Sequence, residues 1–115
     1  MKKDNLIVDK SFEFALNSIE LYKSLAAEKE YVLSKQFLRS STSIGANVEE
    51  AIAGESRKDF THKMAIAAKE ARESRYWLRL LDKSSLVNTD VSIQLNAIEE
   101  IINILTAIVK TTSGK

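Results

Sequence analysis

The segment VSIQLNAIEEIINILTAIV, residues 91–109, decides the fold class. Apolar residues recur in it at alternating spacings of four and three, the heptad pattern of helices in antiparallel bundles and coiled coils. These residues are Val91, Leu95, Ile98, Ile102, Leu105 and Val109. The pattern predicts a helix over about residues 89–112.

A second apolar row runs beside this heptad. A helix with so wide an apolar arc must be covered on more than one side, and soluble monomers rarely leave such a patch exposed. We therefore expect the row to form an interface between copies of the chain. The alternative is that neighbouring helices of one bundle cover both rows. The second row comprises Ile93, Ala97, Ile101, Ile104 and Ile108.

A long helix is predicted upstream, over about residues 56–83. Ser56 is followed three residues later by Asp59, which resembles a capping box, and no Gly or Pro interrupts the segment. Its core row is predicted to contain Phe60, Met64, Ala67, Ala71, Ser74, Leu78 and Leu81.

Two more helices are predicted over about residues 11–27 and 34–53. Ser34 is the expected N-cap of the second, and Gly54 the glycine that ends it in the left-handed conformation. The apolar row of the first is Phe12, Ala15, Leu16, Ile19, Tyr22 and Ala26, and the inner row of the second is Phe37, Ser41, Ile44, Val48, Ala51 and Ile52. Four helices joined by short turns predict an all-α fold, an antiparallel up-down-up-down four-helix bundle forming one domain over residues 1–115.

Composition restricts the classes of function. The 115 residues carry 17 Lys and Arg against 16 Asp and Glu, with no Cys and one His. Disulfide frameworks, thiolate or multi-His metal sites and a Cys nucleophile are excluded. His62 lies in no catalytic pattern and no glycine-rich phosphate loop is present, so we expect no catalytic, cofactor-binding or metal-binding residues, and no enzyme. No apolar run is long enough for a membrane span and no secretory signal is recognisable, which favours a cytoplasmic protein.

The helix over residues 56–83 concentrates positive charge, with eight Lys or Arg and four Asp or Glu. At about 100° per residue, five of the basic residues share a sector of about 120° and could follow a phosphate backbone. The alternative is a solvated face whose arginines pair with acids of other helices, such as Glu49 and Glu50. The five residues are Lys69, Arg72, Arg75, Arg79 and Lys83.

The segment SSTSIGANVEE, residues 40–50, contains unusually many small and polar residues for a helix. The small residues Ser41 and Gly45 predict that another helix approaches closely at this position. Tyr76 or Trp77 is expected to fill the space that their small side chains leave. A polar network is expected at this crossing, made of Asn47, Glu49 and Glu50, with Arg72 or Arg75 as partners.

Four stretches carry a resemblance to a known family: DKSFEFA at 9–15, QFLRSSTSIGANVEEA at 36–51, SRKDF at 56–60 and KEARESRYWLRLL at 69–81. Over about residues 9–86 the chain resembles the 23S rRNA intervening-sequence proteins, also called ribosomal-type proteins, a bacterial four-helix-bundle family. The resemblance extends to the accessory variability determinant of diversity-generating retroelements, a homopentamer with a basic surface that binds nucleic acid and a reverse transcriptase. It implies a bundle that assembles into a pentamer, and it supplies no catalytic residues.

Two functions follow as expectations. The first is a non-enzymatic homo-oligomer that binds RNA or DNA through the basic residues of the third helix. The alternative is a protein-interaction scaffold that assembles with itself and with a protein partner, without binding nucleic acid.

Overall fold

The computed structural model describes the backbone of residues 2–114 and the side-chain environment of residues 6–114. Its helices are α1 (Lys2–Ala27), α2 (Leu33–Ile52), α3 (Arg57–Lys83) and α4 (Ser92–Thr112), and the described part contains no strand. Each helix packs on those before and after it, and α1 also packs on α4. The predicted all-α four-helix bundle is confirmed, as a rod measuring 44 × 21 × 21 Å.

Helix α3 has the orientation that its sequence predicts. The Ser56 hydroxyl accepts a hydrogen bond from the backbone N–H of Asp59 at 3.0 Å, so the expected cap is present. Of the predicted core row, Phe60 is partly buried and the others are buried, namely Met64, Ala67, Ala71, Ser74, Leu78 and Leu81. The opposite side of α3 therefore faces solvent.

Helix α1 differs from the prediction in length and in the face that it buries. It begins at Lys2 rather than near Ser11. Its core face consists of Ile7, Ser11, Phe14, Ser18, Leu21 and Leu25. The row predicted from apolar spacing lies instead toward the outside, where Phe12, Leu16 and Ile19 are exposed.

Helix α2 buries most of its predicted inner row, but Ile52 is exposed. The helix that approaches Gly45 is α1 rather than α3, since a Cβ on Gly45 would lie 3.5 Å from the backbone oxygen and the hydroxyl of Ser11. Gly54 does not have the left-handed conformation expected of it, because among the described glycines only Gly114 has a positive φ. A Cβ on Gly54 would lie 3.3 Å from the Cβ of Asp59, so close packing is what favours glycine there.

Side chains tie the loops together at both ends of the bundle. At one end the Glu28 carboxylate accepts hydrogen bonds from the backbone N–H groups of Asn88 and Thr89, and the bond from Asn88 is the main reason why the pKa of Glu28 is lowered. At the other end the Arg57 guanidinium donates to the carbonyl oxygens of Thr111 and Thr112. Cations are favourable at such helix C-termini. The Glu28 contact therefore joins the α1–α2 turn to the loop between α3 and α4, and the Arg57 contact joins the start of α3 to the end of α4.

Candidate nucleic-acid interface

The basic residues predicted as a group on α3 lie on its outer side. Lys69, Arg72, Arg79 and Lys83 are exposed, and Arg75 is half-buried beside α4. We call these five residues the cationic ridge. Over the 14 steps from Lys69 to Lys83 the helix rises about 21 Å.

Part of the ridge is engaged by α4. The Arg75 guanidinium lies 3.1 Å from the Glu99 carboxylate, and Arg72 donates to the Thr106 hydroxyl at 3.2 Å. Lys83 lies 3.9 Å from the neighbouring Asp82. Within the described residues the structure gives no ion pair to Lys69, Arg72 or Arg79.

The acidic residues Glu70 and Glu73 of α3 lie on its other flank, against α2. The Arg39 guanidinium of α2 donates to both carboxylates, at 3.3 Å to Glu70 and 2.6 Å to Glu73. The hydrogen bond from Arg39 lowers the pKa of Glu73, and the same bond raises the pKa of Arg39. Both carboxylates are thereby held on the α2 flank of α3, away from the ridge, so positive charge dominates the outer side.

The polar network predicted around residues 47–50 is wrong in its partners. Asn47 donates within its own helix, to the carbonyl oxygen of Ser43 at 2.9 Å, and Glu50 pairs with Lys63 at 2.8 Å. Glu49 is exposed. Neither Arg72 nor Arg75 reaches these residues, because both arginines lie on the α4 side of α3.

The buried polar link between α2 and α3 is a pair of serines. The hydroxyls of Ser40 and Ser74 lie 2.8 Å apart, and both side chains are fully buried. The small side chains allow the two helices to approach closely while each hydroxyl is satisfied. This crossing is a packing feature and offers no opening to a ligand.

The second apolar row of α4 is mostly covered within the chain. Ile101 and Ile108 are 2% and 3% exposed, Ala97 and Ile104 are partly buried, and only Ile93 of the five is exposed, at 70%. The reason is that α1 and α3 flank α4 on both sides. For Ile101 and Ile108 the expectation of a free interface is therefore wrong.

By length and composition alone α4 could also cross a membrane, a property shared by core helices of bundles such as this one.

A row of exposed apolar residues lies on α1. Phe12, Leu16 and Ile19 are 62%, 52% and 41% exposed and form one row on the outside of the helix. Phe12 of this row lines a groove between α1 and α2, and the other lining residues are Val8, Ser11, Ala15, Thr42, Gly45, Ala46 and Glu49. The spacing of the row was visible in the sequence, but its outward direction was not.

Tyr76 lies among the residues of the cationic ridge, and the sequence did not identify it as functional. Tyr76 or Trp77 was expected to fill the space at Ser41 and Gly45, but Tyr76 is 53% exposed on the outer side of α3. Its signal in the sequence was its spacing, four residues after Arg72 and three before Arg79.

Among the described residues no group of three or more potential metal ligands comes together.

Fold and charge together define a small four-helix bundle with one cationic helix face. Residues 3–107 match the model of the 23S rRNA-intervening sequence protein family, and the chain belongs to this family. It is also similar to a protein of unknown function from the S23 ribosomal protein family of Bacteroides thetaiotaomicron, whose crystal structure is known at 1.70 Å resolution. The two are 47% identical, with 94% of this chain and 98% of that chain covered and a TM-score of 0.89. No curated protein matches the sequence.

Proposed function

We propose that this chain is a non-enzymatic, cytoplasmic nucleic-acid-binding protein that holds a phosphate backbone against the cationic ridge of α3. The observation that carries the proposal is the separation of charge on α3. Lys69, Arg72 and Arg79 are exposed without an ion pair in the described structure, although Arg72 donates a hydrogen bond to Thr106 of α4. Glu70 and Glu73 are held by Arg39 on the opposite flank. Unpaired cations arranged in a row bind phosphates without reading sequence.

The dimensions of the ridge suit a nucleic-acid backbone. The ridge is about 21 Å long, which is enough to contact several consecutive phosphates of one strand. Three of its basic side chains have no ion pair within the described residues, namely Lys69, Arg72 and Arg79, and they can displace several condensed counterions. We expect binding that weakens steeply as salt rises from about 50 to 200 mM.

Replacing two exposed arginines should weaken this binding measurably. For Arg72→Gln/Arg79→Gln we expect a several-fold loss of affinity for a fluorescein-labelled RNA hairpin at low salt. The slope of log K against log salt should fall by about 2, since about one counterion is released per phosphate contact. Fluorescence anisotropy titrations at several salt concentrations measure both quantities. Gln is as good a helix former as Arg, so α3 should remain intact.

The matched control is Lys23→Gln/Lys35→Gln, which removes the same charge from exposed positions on α1 and α2. Its affinity and salt slope should stay near those of the unmodified protein. If the control weakens binding as much as the ridge variant, only net charge matters and the ridge is not the binding site. If the unmodified protein does not bind at about 50 mM salt, nucleic-acid binding is wrong altogether.

The second candidate is a scaffold that assembles with itself and with a protein partner. The exposed row of Phe12, Leu16 and Ile19 favours it, because three large apolar residues on one helix face are a typical association surface. We propose that copies associate through this row, in a closed ring of five if the assembly follows the resemblance. Self-association is also compatible with the first function, since it would bring several ridges together.

Charged substitutions on α1 test this association. We expect Phe12→Glu/Leu16→Glu to reduce the mass measured by light scattering to that of one 12.9 kDa chain, because a buried unpaired carboxylate is strongly unfavourable in an interface. Ile93→Glu, at the exposed residue of the second apolar row of α4, should leave the assembly unchanged. If Ile93→Glu reduced the mass and Phe12→Glu/Leu16→Glu did not, the interface would lie on α4. A monomeric unmodified protein at high concentration would rule out self-association.

A further inference from the structure

Tyr76 lies in the middle of the cationic ridge. At about 100° per residue its direction from the helix axis is within about 60° of those of Arg72 and Arg79, one turn to either side. Half of its side chain is exposed. A single exposed aromatic residue is ordinary on a protein surface, so the argument depends on its position between cations and on how its ring is held.

The ring of Tyr76 is held in place by contacts with neighbouring side chains. It packs edge to face against Trp77, with the ring centroids 5.3 Å apart and an angle of 66° between the planes. The indole N–H of Trp77 donates to the Glu73 carboxylate at 3.1 Å, and Arg39 of α2 holds that carboxylate. Because this series of contacts crosses from α2 to α3, the ring is positioned before any ligand arrives, which lowers the entropy lost on binding.

We propose that Tyr76 stacks on an unpaired base and that the ligand of the ridge is a single strand, or an unpaired segment, rather than a continuous duplex. Bases in a duplex are stacked on one another and present only their edges and the backbone. A single strand offers open base faces, and proteins that bind it combine a cationic track with aromatic side chains. The inference rests on the proposed function and specifies the ligand of the same surface.

The test compares three substitutions of Tyr76 with the unmodified protein, using a fluorescein-labelled oligouridylate and an RNA duplex of equal length. Tyr76→Ala should weaken binding of the single strand by about 5- to 150-fold, the range for loss of one stacked base, and should change duplex binding little. Tyr76→Phe keeps the ring and should keep the affinity. Tyr76→Leu retains apolar contact with Trp77 without an aromatic face, and should behave like Tyr76→Ala.

A second readout is independent of affinity. Trp77 is the single Trp of the chain and touches Tyr76, so its fluorescence should change when oligouridylate binds and should change less with duplex. The inference is overturned, with the proposed function intact, if the protein binds RNA but Tyr76→Ala keeps single-strand affinity within about twofold, a change too small for a stacked base. It is also overturned if duplex is preferred. Failure of the unmodified protein to bind either probe overturns the proposed function itself.

Discussion

Replacing Phe14 with Ala is expected to lower the free energy of unfolding by about 3–5 kcal/mol, the usual range for removing a buried phenyl ring. Phe14 is 3% exposed and meets Phe37 of α2 edge to face, with ring centroids 6.2 Å apart. The substitution leaves a cavity where α1 and α2 pack together. Urea unfolding followed by circular dichroism measures the loss, and the melting temperature should fall by about 10 °C or more.

Phe12→Ala is the matched control, two residues away on the same helix. Because Phe12 is mostly exposed, its removal should change stability by no more than about 0.5 kcal/mol at concentrations where the chain is monomeric. The pair of variants reports how α1 is rotated in the bundle. Equal losses, or a larger loss for Phe12→Ala, would contradict the buried face described for α1.

The orientation of α1 could not be predicted from hydrophobicity because serines occupy two of its core positions. Ser11 and Ser18 are buried, so the true core row looks less apolar than the outer row containing Phe12 and Leu16. The small side chain at Ser11 allows α1 to approach Gly45 of α2. Only the shape of the neighbouring helix explains why a serine is favoured there.

Helices α3 and α4 were predictable because their patterns are long and mutually consistent. The core row of α3 and the heptad of α4 extend over many residues, so that local errors average out. The periodicity of charge likewise predicted that the ridge residues share a face of α3. That Arg75 meets Glu99, while Lys69 and Arg79 have no such partner in the described structure, depends on how α3 and α4 are rotated about their axes. The rotation of the two helices about their axes cannot be inferred from a single sequence.

The residue that caps the start of α2 was also not predicted from the sequence. Ser34 was predicted as the N-cap, but α2 begins at Leu33 and Ser34 lies inside it, donating to the carbonyl oxygen of Glu30 at 2.7 Å. The group that caps the helix is the Glu30 carboxylate, in a segment that reads as a polar connection. Its position requires a turn in which Lys29 has a φ of 64°, a conformation uncommon for residues other than glycine. Sequence patterns do not indicate such a turn.

Glu30→Ala is therefore expected to destabilise the bundle by about 2–4 kcal/mol, more than an ordinary cap substitution. The buried carboxylate accepts hydrogen bonds from three backbone N–H groups of the first turn of α2, those of Val32 and Leu33 at 3.0 Å and of Ser34 at 2.6 Å. Its removal leaves these donors without an acceptor. Urea unfolding gives the difference, and Glu49→Ala, at an exposed position, should change stability by less than about 0.5 kcal/mol.

The effect of Glu30 should also depend on pH in a defined direction. Burial raises the pKa of Glu30, but the hydrogen bonds from Leu33, Ser34 and Val32 lower it by more, so the pKa in the folded protein lies below its ordinary value of 4.5. A group with a depressed folded pKa stabilises the protein above its unfolded pKa, and the contribution is lost as the pH falls through the folded value. The stability difference between the unmodified protein and Glu30→Gln should accordingly be constant from neutral pH down to about 5 and shrink below it. A difference that grows on acidification would mean that the carboxylate is not the form that caps α2.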